Sequence, residues 1–161
     1  VPVSVNRVWR QLPNETRVAA SQTYWAEAKG AEKQFLFAAL AKSKNLREVF
    51  VRKSPIERLV NWTAATLSLP DPIVDDVLKR YLLHAHRAVI VSFLDLLNIP
   101  HSNGIIEESF DYAVLPKERV QEAARTLLSS ADRTGSKLYL KYLVIQGGPW
   151  AAIEEVLPTA E

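Results

Sequence analysis

Cysteine is absent from the 161 residues, which removes disulfide scaffolds, thiolate zinc sites, iron–sulfur clusters and thiol nucleophiles together. Any catalysis would have to rest on oxygen and nitrogen groups. Methionine is absent too, initiator included, as expected of a chain processed, trimmed or otherwise altered at its start. Glycine is scarce, with five residues, and their spacing supplies neither a Gly-x-Gly-x-x-Gly nor a Gly-x-x-x-x-Gly-Lys phosphate cradle, nor a Gly-x-Ser-x-Gly nucleophile elbow. Long apolar runs are missing as well. The most apolar stretch, Ala88 to Leu97, is interrupted by Ser92 and Asp95 and falls short of the roughly 20 residues of a membrane span. The first thirty residues carry Arg7, Arg10, Glu15, Arg17, Glu27 and Lys29 without an apolar run, so no secretory signal is visible and a cytoplasmic location is the expectation.

Hydrophobic residues make up 48% and charged residues 24% of the chain, the balance of an ordinary globular protein, and the length fits a single domain over residues 1–161. Net charge is only +2, but it is unevenly spread: residues 1–80 carry 13 Lys/Arg against 8 Asp/Glu, and residues 81–161 carry 7 against 10. The excess concentrates in residues 29–58, where Lys29, Lys33, Lys42, Lys44, Arg47, Arg52, Lys53 and Arg58 face only Glu32, Glu48 and Glu57.

Between the proline and glycine punctuation the pattern is helical, with strong helix formers and no sustained two-residue alternation. The expected fold is all-α: a single irregular bundle of eight or nine helices around a long central helix near residues 72–97. A short HEAT-like stack of helix pairs is the alternative. The recurring apolar-Pro pairs at Leu12-Pro13, Leu69-Pro70, Ile99-Pro100, Leu115-Pro116 and Leu157-Pro158 mark element boundaries, because proline disfavours helix at the preceding residue. Their spacing shows no fixed period, so a regular tandem repeat is not supported.

Local signals predict a helix from about Ser4 to Gln11, a second capped by Asn14 and stopped by Gly30, and a third near Ala31 to Lys42 with Phe35, Leu36, Ala39 and Leu40 inward. A short fourth spans about Leu46 to Arg52. Ser54-Pro55-Ile56-Glu57 combines a capping serine, a proline at the first helical position and a glutamate three residues after the cap, opening a helix to about Ser68. Asp71-Pro72 opens the long helix to about Leu97, with Asn98 as a left-handed stop. Further helices follow near Pro116 to Ala131 and Ser136 to Gln146, and a last short one runs from Pro149 to about Leu157. Residues 98–115 show no clear period; Ser102-Asn103-Gly104 marks a turn there, and an unread short element could lie within Ile105 to Phe110.

Three histidines, His84, His86 and His101, bound the metal and acid–base chemistry. His84 and His86 are about 200° apart on a helix, and neither His-Glu-x-x-His nor Glu-x-x-His is present, so no metal site and no cofactor are expected. The polar stripe Arg80, His84, Arg87 and Asp95 has the donors of an anion or carboxylate site, and His101 and Asn103 in the following loop extend it to a candidate ligand site. The plainer reading is a solvated helix face, with Asp95 neutralising Arg87. The basic segment Lys42, Lys44, Arg47, Arg52, Lys53 and Arg58, interleaved with aromatic side chains, is a candidate nucleic-acid surface. Against it, the helix after Pro55 reads as core and not as a base-reading helix.

No convergent catalytic set emerges, so the leading expectation is a non-enzymatic interaction or scaffolding module that binds a protein partner or self-associates. A ligand-binding protein or enzyme using the stripe and the 98–115 loop, and a nucleic-acid binder using residues 42–58, are the alternatives. No membrane partner is expected.

Overall fold

A computed structural model describes residues Ser4–Pro158, and the fold is all-α and multi-helical. The chain divides into two compact units whose boundary, between Tyr81 and Leu82, falls inside a helix.

The N-terminal unit holds α1 (Val5–Gln11), α2 (Asn14–Glu27), α3 (Gly30–Lys44), α4 (Glu48–Arg52), α5 (Ile56–Ala65) and the larger part of α6 (Asp71–Ala85). Ser4, expected as the first helical residue, instead caps α1 by accepting from the Arg7 amide. Packing of α2 on α5 builds much of the core; Ala20, Tyr24 and Trp25 of α2 and Leu59 and Ala64 of α5 are buried, with Leu36, Leu40, Val74, Val77 and Leu78. The carbonyls at the end of α5 lack helical donors, as at any helix C-terminus. Side chains of α1 and α2 supply them: Arg17 Nε donates to Ala64 O (2.8 Å), the buried Trp9 Nε1 to Thr66 O (3.0 Å) and Arg10 Nε to Leu67 O (3.1 Å). Trp25 Nε1 donates to Thr63 Oγ1 (2.9 Å), whose hydroxyl donates to Leu59 O, so both buried indoles are hydrogen-bonded.

Several local expectations are corrected. Asn14 is the first helical residue of α2 and does not cap it; Pro13 occupies the cap without a side-chain bond. Gly30 starts α3 and does not stop α2, which ends at Glu27, while Asn45 at φ 54° supplies the left-handed stop of α3. The Ser54 hydroxyl donates back to Phe50 O (3.0 Å) and does not cap α5. Phe35 is 72% exposed; with apolar residues continuous from Phe35 to Ala41, periodicity alone does not fix which face of α3 turns inward, and Leu36 and Leu40 win.

The expected helix over 72–97 is broken. Residue His86 leaves the helical region (φ −127°, ψ 29°), ending α6 and starting α7 (Arg87–Leu96). His86 Nδ1 lies 2.8 Å from Asp132 Oδ2, a partner 46 positions away, and at the break Arg87 turns its own Nε–H onto Leu83 O (2.9 Å), the carbonyl that a continuous helix would bond to the Arg87 amide. No proline or glycine announces the interruption, because its cause is tertiary.

The C-terminal unit continues from Leu82 through α7 to a two-residue ladder, β1 (His101–Ser102) with β2 (Ile105–Ile106), antiparallel with His101 opposite Ile106. Asn103 (φ 54°) and Gly104 (φ 93°) form the intervening turn, both in the left-handed region that a two-residue hairpin of this type needs. A 3-10 turn at Tyr112–Val114, α8 (Lys117–Leu128), α9 (Arg133–Gln146) and a 3-10 helix at Gly148–Glu155 complete it. Phe93 is fully buried, with Tyr139 edge-on at 5.7 Å and Trp150 at 5.8 Å; Tyr112 meets Trp150 at 6.0 Å and Phe110 at 5.2 Å. This aromatic row ties the 105–114 segment to the core. Asn98 (φ 53°) stops the helix before Ile99-Pro100, and Leu138 to Ile145 is helical, both as expected.

Candidate interaction surface

The stripe is divided between the two units. Arg80 belongs to the N-terminal unit, where it pairs with Glu32 and with Asp76 (3.1 Å) and lies over the Tyr24 ring at 5.7 Å. Its charge is committed there. Burial raises the pKa of Asp76, with Lys79 opposing and Asp75 adding to the rise; burial likewise raises that of Tyr24. His84 is exposed on α6.

Arg87, Asp95, His101 and Asn103 do come together in the C-terminal unit, as a brace of the hairpin. Arg87 Nη1 donates to Asn103 O (2.7 Å), and the Gly104 amide donates to His101 Nδ1 (3.0 Å). Since Nδ1 accepts, His101 carries its proton on Nε2, which donates to Asp95 Oδ1 at 2.9 Å. Both ring nitrogens are thereby engaged, and Asp95 pairs with His101 and not with Arg87. A Cβ on Gly104 would stand 3.3 Å from Ile90 Cγ2, so the turn also seats closely on α7.

His86 has a comparable structural partner. Asp132 caps α9, Oδ1 accepting from the Gly135 amide (2.9 Å) while Oδ2 meets His86. Desolvation pushes the Asp132 carboxyl upward, but the Gly135 amide and His86 outweigh it and hold its pKa below the usual value. Among the described residues no group of three or more His, Asp or Glu side chains is arranged to hold a metal ion, and no helix is long and apolar enough to cross a membrane.

In the basic segment several charged side chains stay uncommitted. Lys42 and Lys44 close α3, Arg47 precedes α4, and Lys53 follows it; all four are exposed and make no ion pair among the described residues. Arg52 pairs with Glu48 (2.7 Å) and stacks over Phe37 at 5.2 Å, and Arg58 lies 5.8 Å over Trp62, so these two cations also cover aromatic surface. Between them large apolar side chains face solvent: Val49 is 61% exposed, Phe50 50% and Ile56 54%, with Leu46 beside them. Clustered exposed apolar groups among charges mark interaction sites far better than a single exposed residue does.

Two hollows adjoin this surface within the same unit. The first, about 470 Å³, lies between α2 and α5 and is walled by Val18, Trp25, Ile56 and Val60, with Gln22, Glu57 and Asn61 as polar groups. It shares Ile56 with the basic surface. The second, about 690 Å³, runs along the outer face of α3 (Phe35, Ala38, Ala39) opposite Pro70, Pro72 and Ile73; it shares Lys42 with the basic surface and is also lined by the carboxylates Glu32 and Asp76. The charge run was legible in the sequence; the exposed Phe35 and the hollows were not, because they depend on which face of α3 and which end of α5 the core leaves open. No family model, curated protein or solved structure matches the chain.

Proposed function

We propose that the protein is a non-enzymatic interaction module whose N-terminal unit receives an acidic, amphipathic segment of a protein partner on the surface formed by residues 42–58. One observation carries this reading: Lys42, Lys44, Arg47 and Lys53, without ion pairs among the described residues, alternate along contiguous elements with exposed Leu46, Val49, Phe50 and Ile56. Carboxylates of the partner meet the cations, and its apolar side chains cover the hydrophobic groups and enter the hollow at Ile56. Three of the four exposed apolar groups, Leu46, Val49 and Ile56, are aliphatic and Phe50 alone is planar, a balance that favours a peptide over a nucleic acid, which recruits planar groups for stacking and polar ones for base edges. Concave hollows that share Ile56 and Lys42 with it favour a peptide over a flat lipid surface. His86, His101, Arg80 and Arg87, by contrast, are drawn into bonds that hold the fold.

The test is fluorescence anisotropy with a labelled amphipathic peptide of alternating leucine and glutamate, its lysine counterpart, a DNA duplex, and phosphatidylserine vesicles by co-sedimentation. The glutamate peptide is expected to bind, with affinity falling at least about tenfold in K42E/R47E/K53E and in V49S/F50S. Equal binding of both peptides, or tighter binding of the duplex or the vesicles, would overturn the reading.

A further inference from the structure

The C-terminal unit carries the chemical complement of that surface. Between Ile105 and Val114 there are three carboxylates, Glu107, Glu108 and Asp111, and no cation, giving the segment a charge of −3, whereas residues 42–58 carry +4. All three acids are exposed, and Glu107 and Glu108 make no ion pair among the described residues. Large apolar side chains are exposed beside them: Ile105, Tyr112 and Val114, the last at 64%. The segment is held in shape as well as displayed. Phe110 and Tyr112 stack edge to face, Tyr112 rests on Trp150, and Asp111 Oδ1 accepts from the Ala113 amide (3.0 Å). A preorganised docking segment loses less conformational entropy on binding than a disordered one.

We infer that the acidic partner segment is supplied by a second copy of this chain: Ile105–Val114 of one copy docks on the 42–58 surface of another. This inference rests on the interaction reading above and names its partner. The charges are opposite, both surfaces are amphipathic, and each leaves its principal charges without ion pairs among the described residues. Unlike surfaces meeting across copies make a heterologous contact. Two patches of this length fall at the small end of protein interfaces, so association is weak, concentration-dependent and reduced by salt.

Sedimentation velocity at low and high ionic strength, over low to high micromolar protein, tests this directly. Wild type is expected to associate with rising concentration and to dissociate with added salt. Reversing the basic surface (K42E/R47E/K53E) or the acidic segment (E107K/E108K, leaving the capping Asp111 in place) is expected to give folded monomers by circular dichroism. Mixing the two variants one to one restores association, because each then meets a surface of opposite sign. A wild type that stays monomeric, or a mixture that stays monomeric, overturns self-docking. If the glutamate peptide still binds wild type and not K42E/R47E/K53E, the interaction surface stands and only its occupant was misassigned; if the peptide also fails, both readings fall.

Discussion

Replacing Gly135 by alanine sets two effects against each other. Alanine is the better helix former by about 1 kcal/mol in a helix interior, and Gly135 is the third residue of α9, so propensity alone makes the substitution stabilising. A Cβ there, however, would stand 2.5 Å from Asp132 Oδ2 and 2.8 Å from His86 Cε1, closer than carbon atoms of real side chains approach. Either the imidazole or the carboxylate must turn away. Losing a hydrogen bond to a charged partner costs about 1.5–3 kcal/mol, and losing an aspartate N-cap about 1 kcal/mol. Asp132 is 45% exposed, which places the first figure at its low end. The net expectation for Gly135→Ala is destabilisation by about 1–2 kcal/mol, measured by urea denaturation. In a His86→Ala background one of the two obstructions is gone, and the cost of Gly135→Ala is expected to fall by about half in a double-mutant cycle. A Gly135→Ala protein as stable as wild type, or a cost unchanged without the imidazole, would refute the steric account.

Two further predictions concern buried or capping bonds. Asp132 has a pKa lowered in the folded state, so its contribution is present above its unfolded value near 3.8 and is lost as pH falls through the folded value; the stability gap between wild type and Asp132→Asn should therefore close below about pH 4 in denaturant titrations. Trp9→Phe keeps most of the apolar volume but leaves Thr66 O without the indole donor at a fully buried position, and is expected to cost about 1–3 kcal/mol by the same measurement.

Helix identity was legible from local signals, but the helix ends only in part: Asn14, Gly30 and Ser54 do not act where their chemistry suggested. Asn98, Asn103-Gly104 and the boundary prolines act through backbone preferences of one or two residues, and the structure uses them as their chemistry implies. Features set by distant partners were not legible. The break at His86 follows from Asp132, and the outward turn of Phe35 from competition among apolar residues on every side of α3. The hairpin at 101–106 escaped the two-residue alternation test because its strands are two residues long. Of the candidate site residues, the basic cluster could be found by counting charge. Its apolar companions required knowing that α4 buries Val51 and leaves Val49 and Phe50 outside.

The placement of the four indoles has a practical consequence. Trp9, Trp25 and Trp62 all belong to the N-terminal unit, and Trp150 alone reports on the other, from the middle of its aromatic row. Replacing Trp150 by phenylalanine silences one unit in tryptophan emission, and replacing the other three silences its neighbour. Optical spectroscopy of two variants can therefore separate cooperative melting of the whole chain from stepwise melting of its parts, without an external label.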